Sequence, residues 1–134
     1  MWEELVQDAR YRCLIPLTHF AEPDGIPGSK TRTWFSVQGA PIFAWAGFCR
    51  RTPDWGSVFA GMTTDSNAAV APLNPRMPVL LEPADYDRWL HGDVSDVIDF
   101  QFRAFPAERL LMEKSDDLWV RRERKPRPQM ALQL

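Results

Sequence analysis

Twelve prolines spread through 134 residues are the strongest constraint on what this chain can fold into. A proline has no amide hydrogen and a fixed φ, so it ends a helix, sits at a strand edge or opens a turn. Short elements and many turns are therefore expected. A 45% hydrophobic content with six Trp and eight Phe still supplies a packed core. At 15.5 kDa the chain suits one domain able to bury roughly two thirds of the surface its unfolded form exposes.

The net charge of −2 gives no global reason to bind nucleic acid, but charge is uneven along the chain. Arg121, Arg122, Arg124, Lys125 and Arg127 against Glu123 leave +4 on residues 121–134 and −6 on the rest. Two organisational units follow: a domain over 1–120 and a basic tail over 121–134, interrupted by Pro126 and Pro128 and expected to be poorly ordered unless a partner holds it. Cys13 and Cys49 lie in apolar surroundings without C-x-x-C spacing and read as reduced, packed thiols. Neither a metal nor a cofactor site is expected. No apolar run approaches the ~20 residues that span a bilayer, and no secretory signal precedes the domain, so no membrane partner and a cytoplasmic location are expected.

Residues 1–10 have the spacing of a short helix and 11–17 of a buried strand, and the turn formers of P-D-G-I-P-G-S-K (23–30) form a loop. T-R-T-W-F-S-V (31–37) and P-I-F-A-W-A-G-F (41–48), joined by Gln38-Gly39-Ala40, read as a hairpin whose second strand is covered on both faces. A strand over Ser57–Thr63 follows the turn at 52–56. Asp65 or Ser66 can cap a short helix through Ala68–Val70 ended by Pro72, and Pro78–Leu81 returns as a strand. Residues 82–90 form a helix with Pro83 in its first turn and Tyr86, Trp89 and Leu90 as its apolar stripe. Residues 94–100 are ambiguous, and 102–112 are expected to supply the last strand. The sum is an α+β fold: a strand-rich, partly open barrel-like core with short peripheral helices.

Few residues suggest chemistry. There is no Gly-rich phosphate loop, no H-E-x-x-H and no G-x-S-x-G. His19 and His91 are far apart, and His91 just past a helix end reads as a solvated side chain near the negative end of the dipole. Glu22 ends the apolar stretch of Leu14, Ile15, Leu17 and Phe20, where partial desolvation raises a carboxyl pKa and suits proton transfer. From position alone, an exposed Glu opening a loop is the stronger reading. Arg76, between Pro75 and Met77, by default bonds nearby carbonyls.

Longer segments say more. R-C-L-I-P-L-T-H-F-A-E (12–22), P-I-F-A-W-A-G-F (41–48), T-T-D-S-N-A-A-V-A-P (63–72) and R-M-P-V-L-L-E-P-A-D-Y-D-R-W-L (76–90) occur in the order and spacing of the SOS response-associated peptidase family, which the chain resembles over roughly residues 9–120. The resemblance implies an association with abasic sites in single-stranded DNA. It also implies a covalent mechanism: an N-terminal Cys amine condenses with the ring-opened aldehyde, its thiol closes a thiazolidine, and a Glu and a His manage the protons. It places Glu22 on the catalytic Glu, Asn74 on the position of the His, and Arg76 as a DNA phosphate contact.

The chain departs from that pattern in two places. Position 2 is Trp, and the family's Cys-Gly-Arg start and Asn-Ala-Arg motif have no counterpart. Asn74 can hydrogen-bond where the His stood but cannot titrate near neutrality. Either Met1 is an internal start of a longer protein, or the chain is a shortened and partly degenerate member with impaired catalysis; the loss of an internal His favours the second. The alternatives to an abasic-site cross-linker are a non-catalytic single-stranded DNA-binding module, using Arg76, the basic tail and exposed Trp side chains, and a self-associating protein.

Overall fold

The computed structural model describes residues 2–120. The basic tail expected over 121–134 lies outside the described residues. Strands β1 (Arg12–Leu17), β2 (Phe20–Asp24), β3 (Thr31–Val37), β4 (Phe43–Thr52), β5 (Gly56–Gly61), β6 (Thr63–Asp65), β7 (Arg76–Pro78), β8 (Leu80–Leu81) and β9 (Leu110–Leu118) alternate with helices α1 (Trp2–Gln7), α2 (Tyr86–His91) and α3 (Val94–Gln101). Every strand pairing among them is antiparallel. One sheet runs β1-β4-β5 with β8 also paired to β4, a second runs β2-β3-β9, and β6-β7 form a two-stranded ribbon. The fold is α+β, strand-rich and open, with short helices at its edge.

Strand β4 joins the two halves of the core because its apolar residues point both ways. Ala44, Ala46 and Phe48 pack with Val79, Leu81 and Trp89, and with Val97 and Phe100 of α3. Phe43 turns to the other side, against Phe35, Val37, Val70, Met77, Leu80 and Phe105. Trp89 is fully buried, stacked edge-on to Phe48 and Phe100, with its indole N–H donated to the Cys13 carbonyl at 3.0 Å. Beside it Arg12, also buried, donates to the carbonyls of Trp89, Gly92 and Val6, thereby capping the end of α2 and tying α1 to it.

Several expectations are corrected. Residues 31–48 do not form a hairpin: β3 has β2 on one edge and β9 on the other, and β4 belongs to the other sheet. The turn after Val37 closes only a single bridge to Ala40, and Pro41 then leads the chain away. The burial patterns show why. Strand β3 buries alternate residues, Thr33, Phe35 and Val37, whereas β4 is buried on successive ones, so the two strands suit different sheets. The second strand instead makes its hairpin with β5, turning through Pro53–Trp55 with Gly56 at φ +66°. Residues 20–24, expected partly as loop, are strand β2.

Residues 68–73 make turns rather than a helix, and their anchor is Asn67 instead of Asp65 or Ser66. Its Oδ1 accepts from the amides of Ala69 and Val70, while its Nδ2 donates to the Phe105 carbonyl at 2.6 Å. The ambiguous segment is helix α3, opened by a capping box in which Asp93 accepts from the Asp96 amide and Asp96 accepts from that of Asp93. The last strand starts at Leu110 rather than Phe102, because Pro106 leads into a single 3-10 turn at Ala107–Arg109.

Candidate functional site

Residues directly opposite in antiparallel strands share a face, so the register places Glu22, Thr33 and Lys114 in one row across β2, β3 and β9. Phe20 and Asp24 flank Glu22 on that face, two residues to either side. Phe20 stacks on Phe35 with ring centroids 5.2 Å apart. Thr33 is buried and donates its hydroxyl to Asp24 at 2.8 Å, which holds the Asp24 carboxyl below the usual range. Lys114 reaches the same Asp24 carboxylate at 3.7 Å.

Glu22 itself is only 7% exposed. Asn74 donates its side-chain amide to Glu22 Oε2 at 2.8 Å, across 52 positions of sequence. Burial pushes the Glu22 pKa up, and the Asn74 hydrogen bond opposes that rise by stabilising the charged form. Asn74 is in turn fixed by its own loop: its amide N–H bonds the Val70 carbonyl at 3.1 Å and its Oδ1 accepts from the Arg76 amide at 2.9 Å. The Pro72–Pro75 stretch thus aims one amide group at one carboxyl group.

Arg76 connects to this pair through its backbone only. Its guanidinium lies along β6, bonding Asp65 Oδ1 at 2.7 Å, the Thr63 carbonyl at 2.9 Å and the Thr63 hydroxyl at 3.2 Å. Glu22 and Asn74 are therefore brought together, and the Arg76 head group is directed elsewhere. The Asp65 partner is almost wholly exposed, so the ion pair is weak and exchangeable.

Neither histidine joins the pair. The His19 ring is edge-on to Trp34, which alternation puts on the opposite face of β3 from Thr33, and His91 lies out in solvent 3.8 Å from Asp87. The half-buried Cys13 thiol is pushed up to about 11 by burial and by neighbouring Cys49, which leaves it protonated and unreactive near neutrality. Among the described residues, no three His, Cys, Asp or Glu gather as metal ligands, and no helix is long and apolar enough to cross a membrane. Sequence reasoning missed Thr33 and Asp24; their signal was the period-2 alternation of β2 and β3, readable once the two are known to pair.

The chain matches the family model described as SOS response associated peptidase over residues 1–116. Its fold is similar to a crystal structure of a protein from Bacteroides thetaiotaomicron, with a TM-score of 0.71 and 24% identity over 84% of this chain and 51% of that one. A protein from Bordetella bronchiseptica gives 0.73 and 24% over 84% and 58%, and a phage-related protein from the same organism gives 0.65 and 20% over 85% and 56%. The chain thus spans between half and three fifths of the length of these solved structures. No curated protein matches it.

Proposed function

The chain belongs to the SOS response-associated peptidase family, and from that premise we propose that it binds abasic sites in single-stranded DNA, with Glu22 as the proton-handling group. The observation that carries this reading is the buried Glu22 carboxyl held by Asn74 at 2.8 Å. A carboxyl with a raised pKa keeps its proton closer to neutrality and can donate it in a hydrogen bond to the aldehyde oxygen of an opened abasic site. Asn74 orients that carboxyl but, being an amide, neither supplies nor takes a proton. The proton transfers that a titratable partner would share fall on Glu22 alone, so covalent chemistry at this site is impaired relative to binding. Arg76 contacts a phosphate by exchanging its exposed Asp65 partner for the DNA backbone.

The test is titration of labelled single strands, one intact and one carrying a stable abasic analogue. Tighter binding of the abasic strand is expected. Glu22→Gln should reduce that preference, whereas Arg76→Ala should weaken both strands about equally. Equal affinity of the wild-type chain for the two strands would sink the abasic-site reading.

A further inference from the structure

Strand β4 outruns its sheet. It pairs with β1 only over Phe43–Phe48 and with β8 only at Ala44 and Trp45, but continues to Thr52. Residues Cys49–Thr52 therefore have β5 residues Gly56–Phe59 as their strand partner, making a two-stranded ribbon beyond the third strand. Its tip is fixed. Thr52 Oγ1 accepts from the Trp55 amide at 3.2 Å and donates to the Gly56 carbonyl at 3.2 Å, and Gly56 adopts the positive φ that the turn requires.

This rigid ribbon presents large aromatic groups to solvent. Trp55 at its tip is 81% exposed and Phe59 is 69% exposed. Arg50 and Arg51 are exposed as well and, being adjacent in a strand, project from opposite faces; the ribbon's acid among these residues is Asp54. Arg51 lies opposite Ser57 and so shares its face with Phe59, which lies opposite Cys49. Cations on both faces, an aromatic group beside one of them and a second at the tip are what a partner with a charged backbone and stackable rings requires. A purely apolar protein partner would leave both arginines desolvated and unpaired.

We propose that the β4–β5 ribbon is a contact surface for single-stranded nucleic acid, with Trp55 and Phe59 stacking on bases and Arg50 and Arg51 on phosphates. It rests on the reading above only for the class of partner. It concerns intact bases, which an abasic position lacks, and therefore flanking nucleotides.

The experiment titrates the full chain with a labelled intact oligodeoxythymidine across a salt series, following anisotropy and tryptophan fluorescence. Trp55→Ala should weaken binding at least about fivefold. Arg50→Ala with Arg51→Ala should lower the log–log salt slope by roughly 0.7 for each arginine that contacts a phosphate. Unchanged melting temperatures would show that both variants fold. Wild-type affinity in both variants, or no binding by the wild-type chain, overturns the proposal. A concentration-dependent dimer abolished by Trp55→Ala, with oligonucleotide affinity unaltered, would assign the ribbon to a protein partner and also overturn it. Loss of the abasic preference alone defeats the Glu22 reading and leaves the ribbon standing.

Discussion

Two charged side chains are buried to nearly the same extent, Arg12 at 5% and Glu22 at 7% exposure, yet they are treated in opposite ways. Arg12 donates to three backbone carbonyls from α1, α2 and the residue that ends α2, and its guanidinium lies over the Trp89 ring, 6.0 Å from the centroid. Those acceptors cannot leave without unravelling the helix ends. Glu22 has one side-chain partner among the described residues, Asn74, which is contributed by a loop. A buried charge anchored on several backbone carbonyls is a structural joint, even though the Arg12 Nε has no partner. A buried charge held by a single loop amide retains the freedom to change protonation or partner, which is the property a functional carboxyl needs.

The sharpest way to break this contrast is at Arg12. Arg12→Met keeps the stem but removes three donors at once, each worth about 1 kcal/mol, so a loss of about 3 kcal/mol is expected. In a domain of this size that lowers the Tm by roughly 10 °C. Thermal unfolding followed by circular dichroism would measure it. A loss below about 1 kcal/mol would mean that the carbonyls find water instead, and that Arg12 is not the joint described.

Asn74→Ala is the intermediate case. It strands the Glu22 carboxyl without its amide partner, which costs about 1–3 kcal/mol when the group is ionised. The penalty should shrink as pH falls and Glu22, its pKa raised above 4.5, takes up a proton and is less in need of a donor, and denaturant titrations at about pH 4 and pH 8 would compare the two. An equal penalty at both would show that Asn74 matters for its loop, through the bond its Oδ1 accepts from the Arg76 amide, and not for Glu22.

How far these roles could be read beforehand differs between the two residues. Glu22 stood out because it ends an apolar stretch, and residues 76–90 carried the pattern that fixes the family. Arg12 opens a family-like segment but nothing in that segment shows its role: a basic residue opening an apolar strand looks like a solvated edge, and two of its three acceptors lie 77 and 80 positions away. Asn67 shows the same limit, since its letter is legible in T-T-D-S-N but its bond to the Phe105 carbonyl exists only after the chain returns. The failed hairpin at 31–48 has a related cause. Turn chemistry is local and predicts a reversal, whereas strand partners are chosen by which faces must be buried, and β3 and β4 bury different ones.

The smallest expected effect is also the most specific to Glu22. Its folded pKa lies above the ordinary value of 4.5 because burial disfavours the carboxylate. Between 4.5 and the raised value the native state holds a proton that the unfolded state has released. The stability associated with that proton is therefore complete below the unfolded pKa and lost as pH rises through the folded one. Asp8, Asp24 and Asp93 act in the opposite sense: their lowered pKa values contribute stability at higher pH that is lost on acidification. The wild-type curve mixes both, so the informative quantity is the stability of the wild-type chain minus that of Glu22→Gln, measured by denaturant titration from about pH 4 to pH 8. That difference should favour the wild type most at low pH and decline as pH rises, because glutamine does not titrate while the acidic carboxyls are common to both chains. A flat difference would show that Glu22 ionises in the folded protein as it does in the unfolded one, and the distinction between a backbone-anchored and a titratable buried charge would fail at its second member.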